Sequence, residues 1–419
     1  MDQVGDTPLL EPVPVLDTTK TKHVSQFGTI MNLINSLMGA GILSVSNSFT
    51  FSGFYPSFII LTLIATLSYA ASCITVYLQK QTGSESFAHL AHITTGNIGS
   101  CILSICVALF CYSTMIAYLI IGSNILIDIF SLGGVEMPKK WGRPVLVLIF
   151  SLVLPVAMTV PKHLAILSTI STAAFGCIIL FFISMIVKGI QLFPKNGISP
   201  SCESCKISLG LFNALAIYSL SFAMSVILLP IINPSKPRLK SRFFALGTSF
   251  FTCYILVLVP GVIGYLLFGA DTKEVILDSF PSHDILMLVV KIGYFVILTA
   301  SYPVIGFSVL ATFGRTIYSI DTISKLIWKQ RIVCLLFENV PPVLLAVVLP
   351  NVRPILAIGG ALGGCMTNFF FPAIFAIILS PHKKYHYKNI LLFLMAGFGL
   401  ITTGISTYEG VLDAINQLK

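Results

Sequence analysis

The segment from Gln26 to Gln79 contains no aspartate, glutamate, lysine, arginine or histidine, and most of its side chains are apolar. A helix crosses the hydrocarbon core of a bilayer with about 20 apolar residues, so this segment is long enough for two spans. The rest of the chain repeats the pattern, because only 10% of its 419 residues are charged, against about 25% in an ordinary soluble domain. We therefore predict an all-α polytopic membrane protein embedded in the lipid bilayer.

Proline, glycine and charge clusters divide the chain into about eleven transmembrane helices. We predict these helices near residues 27–50, 54–78, 98–130, 142–160, 164–192, 207–231, 241–269, 284–314, 331–350, 354–380 and 388–410.

The net charge of +9 is spread over short loops, so we expect no nucleic-acid partner and interpret the basic residues as markers of the cytoplasmic side. Three loops, 236–242, 315–331 and 383–388, are rich in lysine and arginine, whereas the loop at 271–284 is acidic. This pattern predicts a cytosolic N-terminus and a C-terminus on the opposite side. It leaves open whether the membrane is the plasma membrane or the lysosomal or vacuolar membrane.

Two predicted spans are interrupted at corresponding positions. The first is interrupted at Gly39-Ala40-Gly41, and the sixth by the polar and small residues of YSLSFAMSVILLP, which ends at Pro230. Paired interruptions of this kind indicate an inverted repeat with a binding site near the middle of the membrane. We therefore expect a disordered cytosolic tail, two five-helix repeats, and an added eleventh helix with the C-terminus, at 1–25, 26–193, 194–380 and 381–419.

The glycine pair in the first span favours local unwinding, since glycine in a helix costs about 1 kcal/mol relative to alanine. Unwinding would free N–H groups for an anion such as a carboxylate, and carbonyl groups for a cation. The candidate substrate-binding residues of this span are Met38, Gly39, Ala40, Gly41 and Ile42. The alternative is that the glycines form a close helix–helix contact.

Several motifs follow one another in a characteristic order. They are N-x-x-x-G-x-G-I-L (Asn35–Leu43), LPVAMTVPKHLAILSTIS (Leu154–Ser171), SFAMSVILLP (Ser221–Pro230), VIGYLLFG (Val262–Gly269), LTASYPV (Leu298–Val304) and PNVRPILAIGGALGG (Pro350–Gly364). Together they resemble the amino acid/auxin permease family of the amino acid–polyamine–cation superfamily, from about residue 25 to 410. The sodium-coupled neutral amino acid transporters and the vacuolar amino acid transporters are the most similar in pattern.

The resemblance implies a fold like that of the bacterial leucine transporter, with a 5+5 inverted repeat and broken helices 1 and 6. It implies secondary active transport of a small neutral amino acid, with sodium, or alternatively protons, as the coupling ion. The asparagine and threonine implicated in sodium binding match Asn35 and Thr299. Ser301 and the backbone of Gly39 would add oxygen ligands of the kind a hard cation prefers. The sixth span would contribute the substrate-binding residues Tyr218, Ser221, Phe222 and Met224.

The sixth span also departs from the family pattern. Ser225 stands where many relatives carry a histidine, and Asn233-Pro234 stand where many carry acidic residues. The substrate range and the coupling ion therefore stay open. Glu338 in VCLLFENVPPVLL is the one acid clearly inside a predicted span, and an intramembrane carboxylate is a candidate proton site. The alternative is that Glu338 reaches the membrane interface or pairs locally.

No phosphate-binding loop of the form G-x-x-x-x-G-K-[ST] occurs, so we predict neither an enzyme nor an ATP-driven pump. Cys202 and Cys205 form a lone C-x-x-C, which is a weak metal signal and leaves open free thiols or a local disulfide. Asp128 and Lys291 lie near span ends, where we expect them to snorkel to the interface. We expect a monomer with no cofactor beyond the coupling ion. The alternative function is an amino acid sensor, which binds and signals with little or no transport.

Overall fold

The computed structural model describes residues 24–134, 138, 141–160, 167–206, 208–281, 283–318, 326–381 and 386–418. Within these residues, ten helices are long and apolar enough to cross a membrane. The pair Gln26–Leu37 and Gly41–Ser52, bent by 53°, brings the number of spans to eleven. The predicted all-α membrane architecture is confirmed. The tail and the basic loops 315–331 and 383–388 lie wholly or partly outside the described residues, so the orientation and the domain limits stay predictions.

The helices are numbered in chain order. The first span consists of α1 (Gln26–Leu37), a 3₁₀ turn (Ala40–Ser44) and α2 (Val45–Ser52). Spans two to five are α3 (Phe54–Thr82), α4 (Phe87–Leu132), α5 (Gly142–Ser151, extended by irregular turns to Thr159) and α6 (Leu167–Asn196). The sixth span consists of α7 (Gly210–Ser221) and α8 (Ser225–Ile232), and spans seven to nine are α9 (Leu239–Phe268), α10 (Ile285–Tyr318) and α11 (Trp328–Val348). The tenth span joins α12 (Arg353–Gly359), a π-helical segment (Gly360–Phe370) and α13 (Phe371–Ile378), and the eleventh is α14 (Tyr387–Leu418).

Both interrupted spans break where the sequence predicts. Helix α1 ends at Leu37 because Met38 and Gly39 take up extended backbone, with φ/ψ of −83°/91° and −111°/−165°. Helix α7 ends at Ser221, and Phe222 and Met224 leave helical geometry before α8 begins. The 3₁₀ turn and α2 pack on α7, so the two breaks lie side by side. The broken helices 1 and 6 are confirmed.

The third span begins earlier than predicted. Helix α4 starts at Phe87 rather than near residue 98, and Ser86 caps it by accepting a hydrogen bond from the His89 N–H at 3.1 Å. Gly96 has a φ of 67°, a left-handed conformation that favours glycine. Its kink separates the polar first turns from the apolar remainder of the helix. Hydropathy detects only that remainder.

The π-helical segment of the tenth span packs tightly against two neighbours through glycines. A Cβ on Gly360 or Gly364 would come within 2.1 and 2.6 Å of backbone atoms of α7. A Cβ on Gly363, or on Gly359 at the end of α12, would come within 2.1 and 2.8 Å, respectively, of side chains of α4. The segment therefore lies wedged between the third and sixth spans, at the level where the sixth span is broken.

The charges assigned to snorkelling are instead paired inside the bundle. Lys291 of α10 is only 3% exposed, and its Nζ contacts the carboxylate of Asp128 on α4. It also lies 3.3 Å from Oδ1 of Asp278, in the segment before α10. The snorkelling interpretation is wrong, because α10 packs along α4 and encloses the ammonium group between two acids. A buried charge of this kind is tolerated only with partners.

The two loop cysteines are free thiols in the structure. The Cys202 Sγ lies 3.4 Å from the Tyr265 carbonyl oxygen, and the Tyr265 hydroxyl accepts a hydrogen bond from the Glu203 N–H at 2.9 Å. These contacts attach the loop to α9 without a disulfide.

Candidate functional site

The breaks of the first and sixth spans touch at Gly41 and Ser221. A Cβ on Gly41 would lie 2.9 Å from Ser221 Oγ and 3.4 Å from Ser221 N. The hydroxyl is held in place, since it donates a hydrogen bond to the Ile217 carbonyl at 3.1 Å. A side chain at position 41 would force the hydroxyl or one of the two segments to move, and the contact lies where the first span is unwound and α7 ends. The structure thus brings together two of the predicted substrate-binding residues.

Gly39 has a different environment from Gly41. Nothing lies within 4 Å of a Cβ built on Gly39, and the residue is exposed, whereas Ile42 is buried and Met38 is half-buried. The alternative of a close helix contact therefore applies to Gly41 and not to Gly39. Gly39 instead faces open space beside the break.

The predicted residues of the sixth span surround its break with apolar side chains. The Tyr218 ring meets Phe49 of α2 edge-on, with centroids 6.2 Å apart. The Phe222 ring stacks on Phe250 of α9 at 6.4 Å, and Met224 is buried. This setting is suited to an uncharged side chain, because a charge placed there would lose its hydration.

Two predicted ion ligands carry buried oxygens that have no hydrogen-bond partner. They are Asn35 Oδ1 on α1 and Thr299 Oγ1 on α10. A buried polar atom left unpaired costs about 1–3 kcal/mol, and amide and hydroxyl oxygens are ligands that hard cations prefer. The two side chains are not hydrogen-bonded to each other, and Ser301 is half-buried on α10. Both are oxygen atoms of the kind that sodium binds, and their joint coordination of one ion stays a prediction.

Glu338 lies inside the bundle on α11, with 1% of its surface exposed. A Cβ on Gly306 of α10 would lie 2.1 Å from Glu338 Oε1, and Oε2 has no hydrogen-bond partner. The adjacent Asn339 ties α11 to its neighbours, accepting from the Tyr302 hydroxyl at 3.1 Å and donating to Thr159 Oγ1 at 3.2 Å. Glu338 is enclosed by protein, and the alternative of local pairing stays a prediction. Its role as a proton site stays a prediction.

A polar cavity of about 380 Å³ opens beyond the end of α2. Glu274 fixes the loop above it by accepting hydrogen bonds from the N–H groups of Val352 and Arg353, at 3.0 and 3.1 Å. The Arg353 guanidinium also binds Asp413 of α14 through two bonds of 2.8 and 3.0 Å. Burial raises the pKa of Glu274, although the hydrogen bond and charge of Arg353 oppose the shift. The residues that line the cavity are Asn47, Thr50, Asn124, Ala270, Thr272, Lys273, Glu274, Val275, Asp278, Asn351, Val352 and Arg353.

Asn368 of the π-helical segment reaches the break of the sixth span, although no motif points to it. Its amide forms hydrogen bonds with Phe222 and Ser225, on either side of the break, and with Ser68 of α3. The available signal was a lone amide in the apolar run GALGGCMTNFFF. A buried amide in a membrane helix needs partners, but the sequence does not say which.

Two broken helices that meet at their breaks define the fold of the leucine-transporter class of membrane transporters. The structure is similar to MhsT in complex with L-phenylalanine, with a TM-score of 0.57 and 13% identity, covering 96% of this chain and 100% of that chain. It is also similar to the manganese transporter of Eremococcus coleocola, with a TM-score of 0.56 and 14% identity, covering 92% of this chain and 86% of that chain. At such identities the likeness shows the fold alone.

The sequence profile described as "Transmembrane amino acid transporter protein" matches residues 22–411. The chain therefore belongs to this family, the amino acid/auxin permeases, and is a transporter rather than an enzyme. It is 20% identical to the sodium-coupled neutral amino acid transporter 7 of Danio rerio, over 92% of this chain and 85% of that protein. The family and the fold predicted from the motifs are confirmed.

Proposed function

We propose that this protein is a secondary active transporter that moves small neutral amino acids across a membrane, coupled to sodium. The observation that carries the proposal is the contact between the two breaks at Gly41 and Ser221. Irregular backbone at membrane depth is tolerated only where it is buried in protein or lines a cavity, and here two unwound segments lie together. We further propose a cytosolic N-terminus and a monomer, in a plasma or a lysosomal or vacuolar membrane.

The substrate would lie across the two breaks. Its carboxylate would accept hydrogen bonds from free N–H groups of the 3₁₀ turn that follows Gly39, because helix starts attract anions. Its ammonium group would take carbonyl oxygens at the ends of α1 and α7, where the dipole is negative. Tyr218, Phe222 and Met224 would receive the side chain. A charged side chain would lose its hydration there, so we propose neutral substrates.

Asn35 and Thr299 support sodium as the coupling ion. A sodium ion bound by both oxygens would give each buried atom a partner and would link α1 to α10. Since Asn35 lies one helical turn before the break, the ion would also stabilise the end of α1 next to the substrate. Ion and substrate would then favour the same conformation, which is the thermodynamic basis of coupling. The similarity to a protein named as sodium-coupled supports this choice.

Proton coupling through Glu338 is the second candidate. The observation that favours it is the buried carboxyl with an unpartnered Oε2 between α10 and α11. Gain or loss of a proton would change the charge of this helix interface, and α10 also carries Thr299. A proton could in this way act on the same helix as sodium.

Uptake by purified protein in proteoliposomes tests the proposal. A panel of amino acids is offered with a sodium gradient and a pH gradient imposed separately. We expect the sodium gradient to drive accumulation of neutral amino acids, and Asn35→Ala and Thr299→Ala to weaken the dependence on sodium. Asn32→Ala is the matched control, because Asn32 is an exposed amide on the same helix.

The other outcomes are distinct. Unchanged sodium dependence in both variants would contradict the ion site. Uptake that only a pH gradient drives, and that Glu338→Gln abolishes, would assign coupling to Glu338. Amino acid binding without uptake under either gradient would favour the sensor over the transporter.

A further inference from the structure

The break of the sixth span leaves backbone groups that neither α7 nor α8 can satisfy. Phe222 and Met224 have φ/ψ of −121°/18° and −122°/−28°, so the helical ladder is interrupted between Ser221 and Ser225. The N–H at the start of α8 and the carbonyl of Phe222 need partners from outside the span, because no water is available in a bilayer core.

Asn368 supplies partners for both groups. Its Oδ1 accepts hydrogen bonds from the Ser225 N–H at 3.3 Å and the Ser225 hydroxyl at 2.6 Å. Its Nδ2 donates to the Phe222 carbonyl at 3.3 Å and to Ser68 Oγ of α3 at 2.9 Å. The amide orientation is determined, since a backbone N–H can only donate and a carbonyl can only accept. Its two donors and two acceptor positions are all used.

The tenth span is built to place this amide in the break. Gly360, Gly364 and Asn368 follow at intervals of four residues along the π-helical segment, and the two glycines lie against the backbone of α7. Cys365 adds a contact of 3.3 Å between its Sγ and Ser219 Oγ. Side chains in place of the glycines would push α7 away and withdraw Asn368. The close packing and the hydrogen bonds therefore form one arrangement.

We infer that Asn368 is a positioning residue, which holds the unwound segment of the sixth span in the geometry that binds the substrate. Asn368 has no free donor or acceptor, so it acts through Phe222 and Ser225 and not by touching the ligand. Its bond to Ser68 fixes the break relative to the second span as well. This inference rests on the proposed function, because it assigns the substrate to the break.

A series of variants tests the inference through the KM and the maximal rate of amino acid uptake in proteoliposomes. Asn368→Ala removes the hydrogen-bond partner of the Ser225 N–H and of the Phe222 carbonyl. Because leaving a buried polar group unpaired costs enough free energy to change an affinity about tenfold, we expect KM to rise about tenfold or more. Asn368→Asp keeps the acceptor for Ser225 but faces the Phe222 carbonyl with an oxygen, so its KM should also rise. Ser225→Ala removes one bond and should raise KM less.

Two controls separate positioning from general damage. Thr367→Ala changes the neighbouring buried residue, whose hydroxyl bonds only to the Gly363 carbonyl of its own helix, and should leave KM unchanged even if stability falls. Ser225→Ala added to Asn368→Ala should have no further effect on KM, because the bond it removes is already lost. Sodium binding measured without amino acid should be unaffected in every variant.

A wild-type KM in Asn368→Ala and Asn368→Asp, with a maximal rate reduced only in proportion to the amount of folded protein, would overturn the inference. If Asn368→Ala does not fold, Ser225→Ala and Asn368→Asp decide on the same criterion. Failure of the wild type to take up any amino acid would refute the proposed function instead. The two failures are therefore distinguishable.

Discussion

Replacing Gly41 with alanine perturbs the contact between the two breaks. The added Cβ would lie 2.9 Å from Ser221 Oγ, inside the distance at which carbon and oxygen pack. If the two segments move apart, overpacking costs about 1–3 kcal/mol. If the hydroxyl rotates instead, it gives up its bond to the Ile217 carbonyl, which costs about 0.5–1.5 kcal/mol. The protein takes the cheaper response, so we expect Gly41→Ala to destabilise it by about 1 kcal/mol and to reduce uptake.

The cause is tested by a second substitution. Ser221→Ala removes the obstructing oxygen, and the next atom, Ser221 N, would lie at 3.4 Å from the new Cβ, which is tolerable. The double variant should therefore be more stable than the sum of the single effects predicts, with a coupling free energy of about 1 kcal/mol. Thermal unfolding of the purified variants in detergent measures this non-additivity.

Gly39→Ala is the matched control for the same motif. Its Cβ would meet nothing within 4 Å, and a φ of −111° suits alanine, so the variant should be at least as stable as the wild type. A loss of substrate affinity without loss of stability in this variant would support Gly39 as a binding residue. Additive effects of Gly41→Ala and Ser221→Ala, or a Gly41→Ala protein as stable as Gly39→Ala, would refute the contact argument.

Three further predictions concern charges outside the breaks. Lys291→Met leaves the Asp128 carboxylate without its buried partner and should lower the free energy of unfolding by about 3 kcal/mol. Adding Asp128→Asn should restore part of that stability, as thermal unfolding would show. Burial raises the pKa of Glu274, so the folded state takes up this proton first as the pH falls. The free energy of unfolding of the wild type, relative to that of Glu274→Gln, should therefore increase as the pH falls from neutral towards about pH 4.3. A difference between the two proteins that stays constant across unfolding curves at several pH values would contradict this prediction. Gly306→Ala would place a Cβ 2.1 Å from Glu338 Oε1, so it should lower stability, and proteoliposome uptake driven by a pH gradient should fall if Glu338 carries the proton.

The sequence predicts the architecture well because bilayer solvent imposes a simple rule on each span. Long apolar segments and their Gly and Pro boundaries mark the helices, and Gly39 and Gly41 mark the first break within a residue or two. The start of α4 is missed because Gly96 lets a polar turn join an apolar helix. Local composition describes the polar first turns and the apolar remainder of α4 correctly, but it does not show that the two form one helix.

The candidate site is harder to predict, because its contacts join residues far apart in the chain. The sequence names Gly41 and Ser221, but only the fold shows that one touches the other. Lys291 and Asp128 each lie near a span end, and in isolation snorkelling is the economical explanation. Their pairing follows from the packing of α10 along α4, which no local pattern encodes.

Asn368 illustrates why a broken membrane helix is completed by a neutral amide. An interrupted ladder leaves a donor and an acceptor a few ångströms apart, and a charged side chain could satisfy only one of them while adding a large desolvation cost. An amide presents an acceptor and a donor at that spacing and carries no net charge. Ser225 and Ser68, which use its remaining positions, are neutral as well. Rigid support of the sixth-span break can thus come entirely from uncharged groups.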